Sequence, residues 1–171
     1  MVTEDFNRTL EIWIKDLESV NFVQLCTKPS CNSWSLGQVY MHLIEATYYY
    51  LEQVKICVSY EAHALEEMSA DAKIMFHNNA FPDEIIEGPP SNAATHQPTS
   101  KEKLISDLLK LKEDMNQVTR LISSSSCKGK TKHSGLNYFT AREWLQFAEM
   151  HFRHHVKQKE RIDAFLKSNL S

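Results

Sequence analysis

Glycine and proline are scarce, with four and five residues in a chain of 171. So few chain-breakers exclude long disordered stretches and lean the chain toward helix. No block of lysine and arginine stands alone, and the formal net charge is −3 with neutral histidines. The chain therefore lacks an electrostatic footprint for a phosphate backbone, and no nucleic-acid partner is expected. Long apolar runs are missing too. The stretch richest in aromatics, MHLIEATYYYLEQVKICVSY, is broken by Glu45, Glu52 and Lys55 and is too polar to span a bilayer. The N-terminus, MVTEDFNRTLEIWIKDL, carries acidic residues early rather than the charged-then-apolar layout of a secretion signal, so a cytoplasmic protein is expected. Cys26, Cys31, Cys57 and Cys127 form no C-x-x-C pair, and the first two are not spaced as a zinc knuckle. Unpaired thiols are the expectation.

What the chain does have is helical periodicity. Its length suits one domain, 1–171, around a single core. Phe6, Leu10, Trp13, Leu17 and Val20 recur at three- and four-residue steps, which predicts a first helix over about 3–26. TKPSCNSWS breaks that period. Ser35 and Gln38 form a capping-box pattern, with Trp34 and Val39 as its staple, and open a second helix over about 35–62. Residues 63–99 offer one short helix around 64–76 before turning rich in Pro, Gly and Asn, as a crossover would. A Thr99–Glu102 box then starts a third helix, about 100–124, striped by Leu104, Leu108, Leu111, Met115, Val118 and Ile122. After a second irregular stretch, Thr140 and Glu143 cap a fourth helix, about 140–168. No strand-like alternation of useful length is present. Four long helices and one long connection predict an all-α four-helix bundle.

The segment FAEMHFRHHVKQ places three histidines within five residues of the fourth helix. Successive helical residues rotate by about 100°. On that measure His151 and His155 lie inside the stripe of Trp144, Phe147, Ala148, Ile162 and Leu166. His154 falls on its edge and Arg153 outside it. On the second helix His42 shares a face with Val39, Ala46, Tyr49 and Cys57. A lone inward histidine is more often a hydrogen-bonded core residue. However, residues four apart on a helix can reach one ion, and with His42 they supply three neutral nitrogens, enough for a zinc-like centre with open positions. No acid–base partner stands out. Glu45, Tyr49 and His154 flank the ligand positions, and Gln158 lies where it can hold a ligand ring or a water. His63, His77 and His96 read as solvated or loop residues, and His133 lies beside an irregular segment.

These motifs resemble a known family. WSLGQVYMHLIEA (34–46) is similar to the second-helix signature of the DinB/YfiT-like superfamily, and HSGLNYFTAREWLQFAEMHFRHHVKQ (133–158) to its C-terminal signature. The loop reads HSGLNYF where His-Pro-aromatic-Gly is commoner. The resemblance implies a four-helix bundle with a long crossover between helices two and three. It also implies a divalent metal, often zinc or nickel, on His42, His151 and His155. The activities implied are metal-dependent hydrolysis or S-transfer from a low-molecular-weight thiol to a small-molecule substrate. Such bundles often pair through helices, so a homodimer is the association to expect, although no stripe here fixes one. The alternative is a non-catalytic bundle whose histidines hold a structural metal or hydrogen-bond one another, with an exposed surface serving a partner. A fourth ligand from the crossover, such as His77, would favour it.

Overall fold

The computed structural model describes residues 2–82 and 94–169. The Pro- and Gly-rich part of the crossover, 83–93, lies outside the described residues. Helix α1 (Val2–Leu17) buries Phe6, Leu10, Trp13 and Leu17, the stripe expected of it. It stops nine residues short of the expected end. After a turn, Asn21 and Gln24 form a capping box that starts a separate short helix, α2 (Phe22–Cys26). Helix α3 (Leu36–Ser59) opens on the expected box, with the Ser35 hydroxyl accepting from Gln38 N–H and the Gln38 side chain returning to Ser35 N–H.

The crossover carries α4 (Ala70–Asn78), which ends on Asn79 in the left-handed region, a conformation asparagine tolerates. Helix α5 (Lys101–Ser124) is capped by Ser100, one residue after the expected Thr99, and buries Leu104, Leu108, Leu111, Met115 and Val118. The fourth helix comes in two pieces, α6 (Ala141–His154) and α7 (Val156–Asn169), interrupted at His155, where ψ relaxes to −4°.

The fold is an all-α four-helix bundle in which α1 and α3 each pack against both α5 and α6. Contacts at the helix ends set the directions. Ser125 Oγ donates to Val58 C=O at 2.8 Å, while Pro98 presses on Gly37, so α3 and α5 run parallel and the long crossover is what joins them. At Gly37 a Cβ would stand 2.7 Å from Pro98 Cδ, which only glycine avoids. Phe6, Trp13, Tyr40 and Phe152 form the edge-to-face centre of the core, with the Tyr40 hydroxyl donating to Trp13 C=O at 2.7 Å.

A β-hairpin, β1 (Lys130–His133) and β2 (Asn137–Thr140), corrects the expectation of no strands. Its three-residue loop closes on Asn137 in the left-handed region, φ 63°, while Gly135 takes no positive φ. Two four-residue strands are too short for periodicity to announce. Among the described residues no helix is long and apolar enough to cross a membrane.

Candidate metal centre

Three imidazoles meet between α3 and α6. His42 Nε2 lies 3.1 Å from His151 Nε2, and His155 Nε2 lies 3.2 Å from the same atom. Their ligand atoms all fall within 4.8 Å of one another. The i, i+4 spacing stacks His151 and His155 on one face, and the break at His155 follows directly. On the opposite helix, the first turn of α3 is fixed by its cap and by the returning crossover. Gln38 Nε2 donates to Thr95 C=O at 2.7 Å, Ser35 Oγ to Gln97 Oε1 at 2.8 Å, and Gln97 Nε2 to Cys26 C=O at 3.3 Å. His42 stands one turn further along this clamped end.

The ring nitrogens fit a cation better than they fit one another. Gln158 Oε1 lies 2.7 Å from His155 Nδ1, which places the proton there and leaves Nε2 as a lone pair turned toward the other two rings. His151 is buried, and its Nδ1 has no hydrogen-bond partner, a cost of about 1–3 kcal/mol. A core kept for packing alone would shed such an atom; a ring whose Nε2 binds an ion has a reason to keep it. His42, His151 and His155 therefore could hold a divalent metal. Among the described residues no carboxylate or thiol joins the cluster.

Burial sets the charge state. Desolvation draws His42 and His155 down to about 4, and His151 well below the usual histidine range with help from His155 and His42. The rings are neutral at pH 7, with lone pairs available. In metal-free protein the unfolded chain binds more protons than the fold as pH drops below about 6.5. Stability contributed above that pH is then lost progressively down to about pH 4. Urea melts of chelated protein at pH 7, 6, 5 and 4 should show the midpoint falling with little change in slope; a midpoint flat from pH 7 to 4 would contradict the burial of these rings as neutral groups.

The flanking residues are distributed unevenly. Glu45 is exposed, and Tyr49 is 50% exposed. The ring that does face His151 is Tyr50, 5.8 Å away, packed also on Trp144 and Phe147. His42 stands at the rim of the buried arc of α3 rather than at its centre, so Leu43, Tyr50 and Val54, about 80–120° round from it, point inward. Burial pushes the Tyr50 phenol up, so it stays protonated and keeps a proton to donate. His154 packs its ring on His155 at 5.2 Å and on Phe81 at 5.0 Å.

Trp34, expected as a helix staple, has its ring 5.1 Å from His42. Phe81, absent from the sequence reading, lies 6.0 Å from His151. His133 stacks on Phe139, with Nδ1 accepting from Gly135 N–H at 3.1 Å. His63, His77 and His96 are exposed and lie outside the three-histidine cluster. Arg153 lies outside the apolar stripe, as expected, and there forms a bidentate pair with buried Glu149 and donates to Asn79 C=O, tying α6 to the end of α4.

A bundle with a parallel helix pair and inward histidines on two facing helices defines a class, that of helical bundles built around a histidine site. The chain belongs to the DinB superfamily, whose model matches residues 5–158 and so includes all three histidines. Among solved structures it is similar to YfiT from Bacillus subtilis, described as a probable metal-dependent hydrolase with an unusual four-helix bundle topology. The two are 15% identical, the match covers 97% of this chain and 86% of that one, and the TM-score is 0.60. At that identity the likeness speaks for the fold. No curated protein matches the chain in sequence.

Proposed function

We propose that the protein is a metal-dependent enzyme, a hydrolase or a small-thiol S-transferase, acting on a small molecule at His42, His151 and His155. The observation that carries this reading is the convergence of three neutral Nε2 atoms, one of them held in tautomer by Gln158. The description of YfiT as a probable metal-dependent hydrolase points the same way. Zinc or nickel is the ion we favour, because an all-imidazole donor set suits borderline cations. A divalent ion there would supply Lewis acidity, polarising an oxygen or favouring the deprotonated form of a water or thiol nucleophile.

The chain's own groups do the rest. Burial keeps the three rings neutral, Gln158 orients His155, and the buried ring of Tyr50, backed by Phe147, excludes water from the inner side of His151. Tyr50 can donate a hydrogen bond but, with its phenol pushed up, cannot serve as a base. Three protein nitrogens leave positions for substrate, which favours catalysis over a closed structural site.

Removing the Gln158 amide as Gln158→Leu should weaken metal binding by about 10–100-fold without unfolding the protein. Competition with a chromophoric chelator measures this, and unchanged affinity would remove Gln158 from the site. The function itself is tested by a panel of ester, amide and thiol-transfer substrates, assayed before chelation, after it, and with zinc or nickel restored. Turnover should vanish and return; turnover that survives chelation would overturn the reading.

A further inference from the structure

The partly exposed rings beside the histidines raise the question of what they touch. Trp34 borders His42 at 5.1 Å with the two ring planes 50° apart, and Phe81 borders His151 at 6.0 Å and His154 at 5.0 Å. Both are only half-buried, although the core beside them is closed: Trp144, Phe139 and Phe152 are fully enclosed. Of the three histidines, His42 and His155 keep some exposure while His151 is buried. Trp34 thus borders an accessible member of the cluster, while Phe81 reaches from the ring of buried His151 to that of half-buried His154.

Charge narrows the ligand further. Among the described residues no carboxylate acts on any of the three imidazoles. A divalent ion on three neutral nitrogens in so desolvated a place carries its full charge and calls for an anionic group that none of the described residues supplies. Two cations on the same helices are already committed, Arg153 to Glu149 and Lys159 to Asp16 and Asp163. Beyond Gln158 and His154 on His155, the half-buried ring faces of Trp34 and Phe81 border the cluster, and they are complementary to a flat, uncharged group.

We propose that Trp34 and Phe81 form an aromatic clasp beside the three-histidine site, selecting a substrate in which an anionic, metal-seeking head is joined directly to a flat apolar or aromatic body. The proposal rests on the metal reading above and deepens it by naming the substrate class. The head takes the ion, and the body lies against the two rings.

The test uses the full chain loaded with cobalt(II), whose visible spectrum reports ligands entering the site. Two probes share one head group, acetohydroxamate and benzohydroxamate, and differ in the ring. Benzohydroxamate should bind at least about tenfold more tightly to the wild type. Trp34→Ala and Phe81→Ala should each lose most of that preference while leaving acetohydroxamate binding unchanged, and Trp34→Phe should keep it. Equal affinities for the two probes in cobalt-loaded wild type would overturn the clasp alone, without needing any variant to fold. A preference that persists in both alanine variants would overturn it as well. Failure to take up cobalt would overturn the metal reading, and the clasp with it.

Discussion

Replacing any one of His42, His151 and His155 with alanine is expected to lower affinity for zinc or nickel by a factor on the order of a hundred to a thousand. Structural zinc sites bind with about 10–16 kcal/mol shared among four ligands, so each ligand carries about 2.5–4 kcal/mol. Here the described residues offer no fourth protein ligand to take up the loss. His151 should be the most sensitive, since its Nε2 is the atom that the other two approach. The effect should also appear as stability. Ion present at a hundred times its Kd adds about 2.7 kcal/mol to the wild type. For a chain of this size that raises Tm by about 5–10 °C. The single variants should show little of the increase at the same concentration. Elemental analysis of purified protein and thermal melts with and without metal check both statements. Stoichiometric metal that survives any two of the three changes would rule out the three-histidine site.

The histidine arrangement could be read from sequence because it follows from helix geometry alone. His151 and His155 are four apart within a strong apolar stripe, and that rotation is carried by the chain regardless of what packs on it. The stripes of α1 and α5 are legible for the same reason, as are the capping boxes at Ser35–Gln38 and Thr140–Glu143, whose partners are three residues apart. The end of α1 is a different case. The Asn21–Gln24 box was present in the sequence, but Val20 continued the apolar spacing and hid the turn before it.

Tyr50 was hidden by a subtler effect. Rotation about His42 marks a face with Val39, Ala46, Tyr49 and Cys57, whereas a residue that opens onto a site lies at the rim of the buried arc, and Tyr50 lies nearer the centre of that arc. Phe81 and the Arg153–Glu149 pair depend on where the crossover returns, which no local pattern specifies. Arg153 was placed correctly by rotation as far as α6 is concerned. The end of α4 then came to cover that outward face, so the arginine found a carbonyl instead of solvent.

Gly129→Ala is expected to destabilise the protein by about 3 kcal/mol, the upper end of the usual cost of overpacking. The φ of Gly129 is not positive, so the need for glycine there is spatial. A Cβ at this position would lie 1.9 Å from Tyr60 C=O and 2.8 Å from Cys57 C=O, both backbone oxygens at the end of α3 that cannot swing aside as a side chain would. The next residue, Lys130, donates its N–H to Ala62 C=O at 2.9 Å, so relieving the clash means moving the whole start of the hairpin away from α3. That movement would travel inward. Thr131 accepts a hydrogen bond from Trp144 Nε1–H at 2.7 Å, and Phe139 packs on Trp144 and Phe147, which precede His151 on α6 by two turns and one turn. The substitution should therefore lower the urea midpoint and also weaken metal binding, although Gly129 touches no histidine. Chemical denaturation and metal titration of the same preparation separate the two effects. A variant with wild-type stability would show that the hairpin does not dock this closely on α3. A destabilised variant with wild-type metal affinity would show that the site holds its geometry without the hairpin, by the packing of α3 against α6 alone.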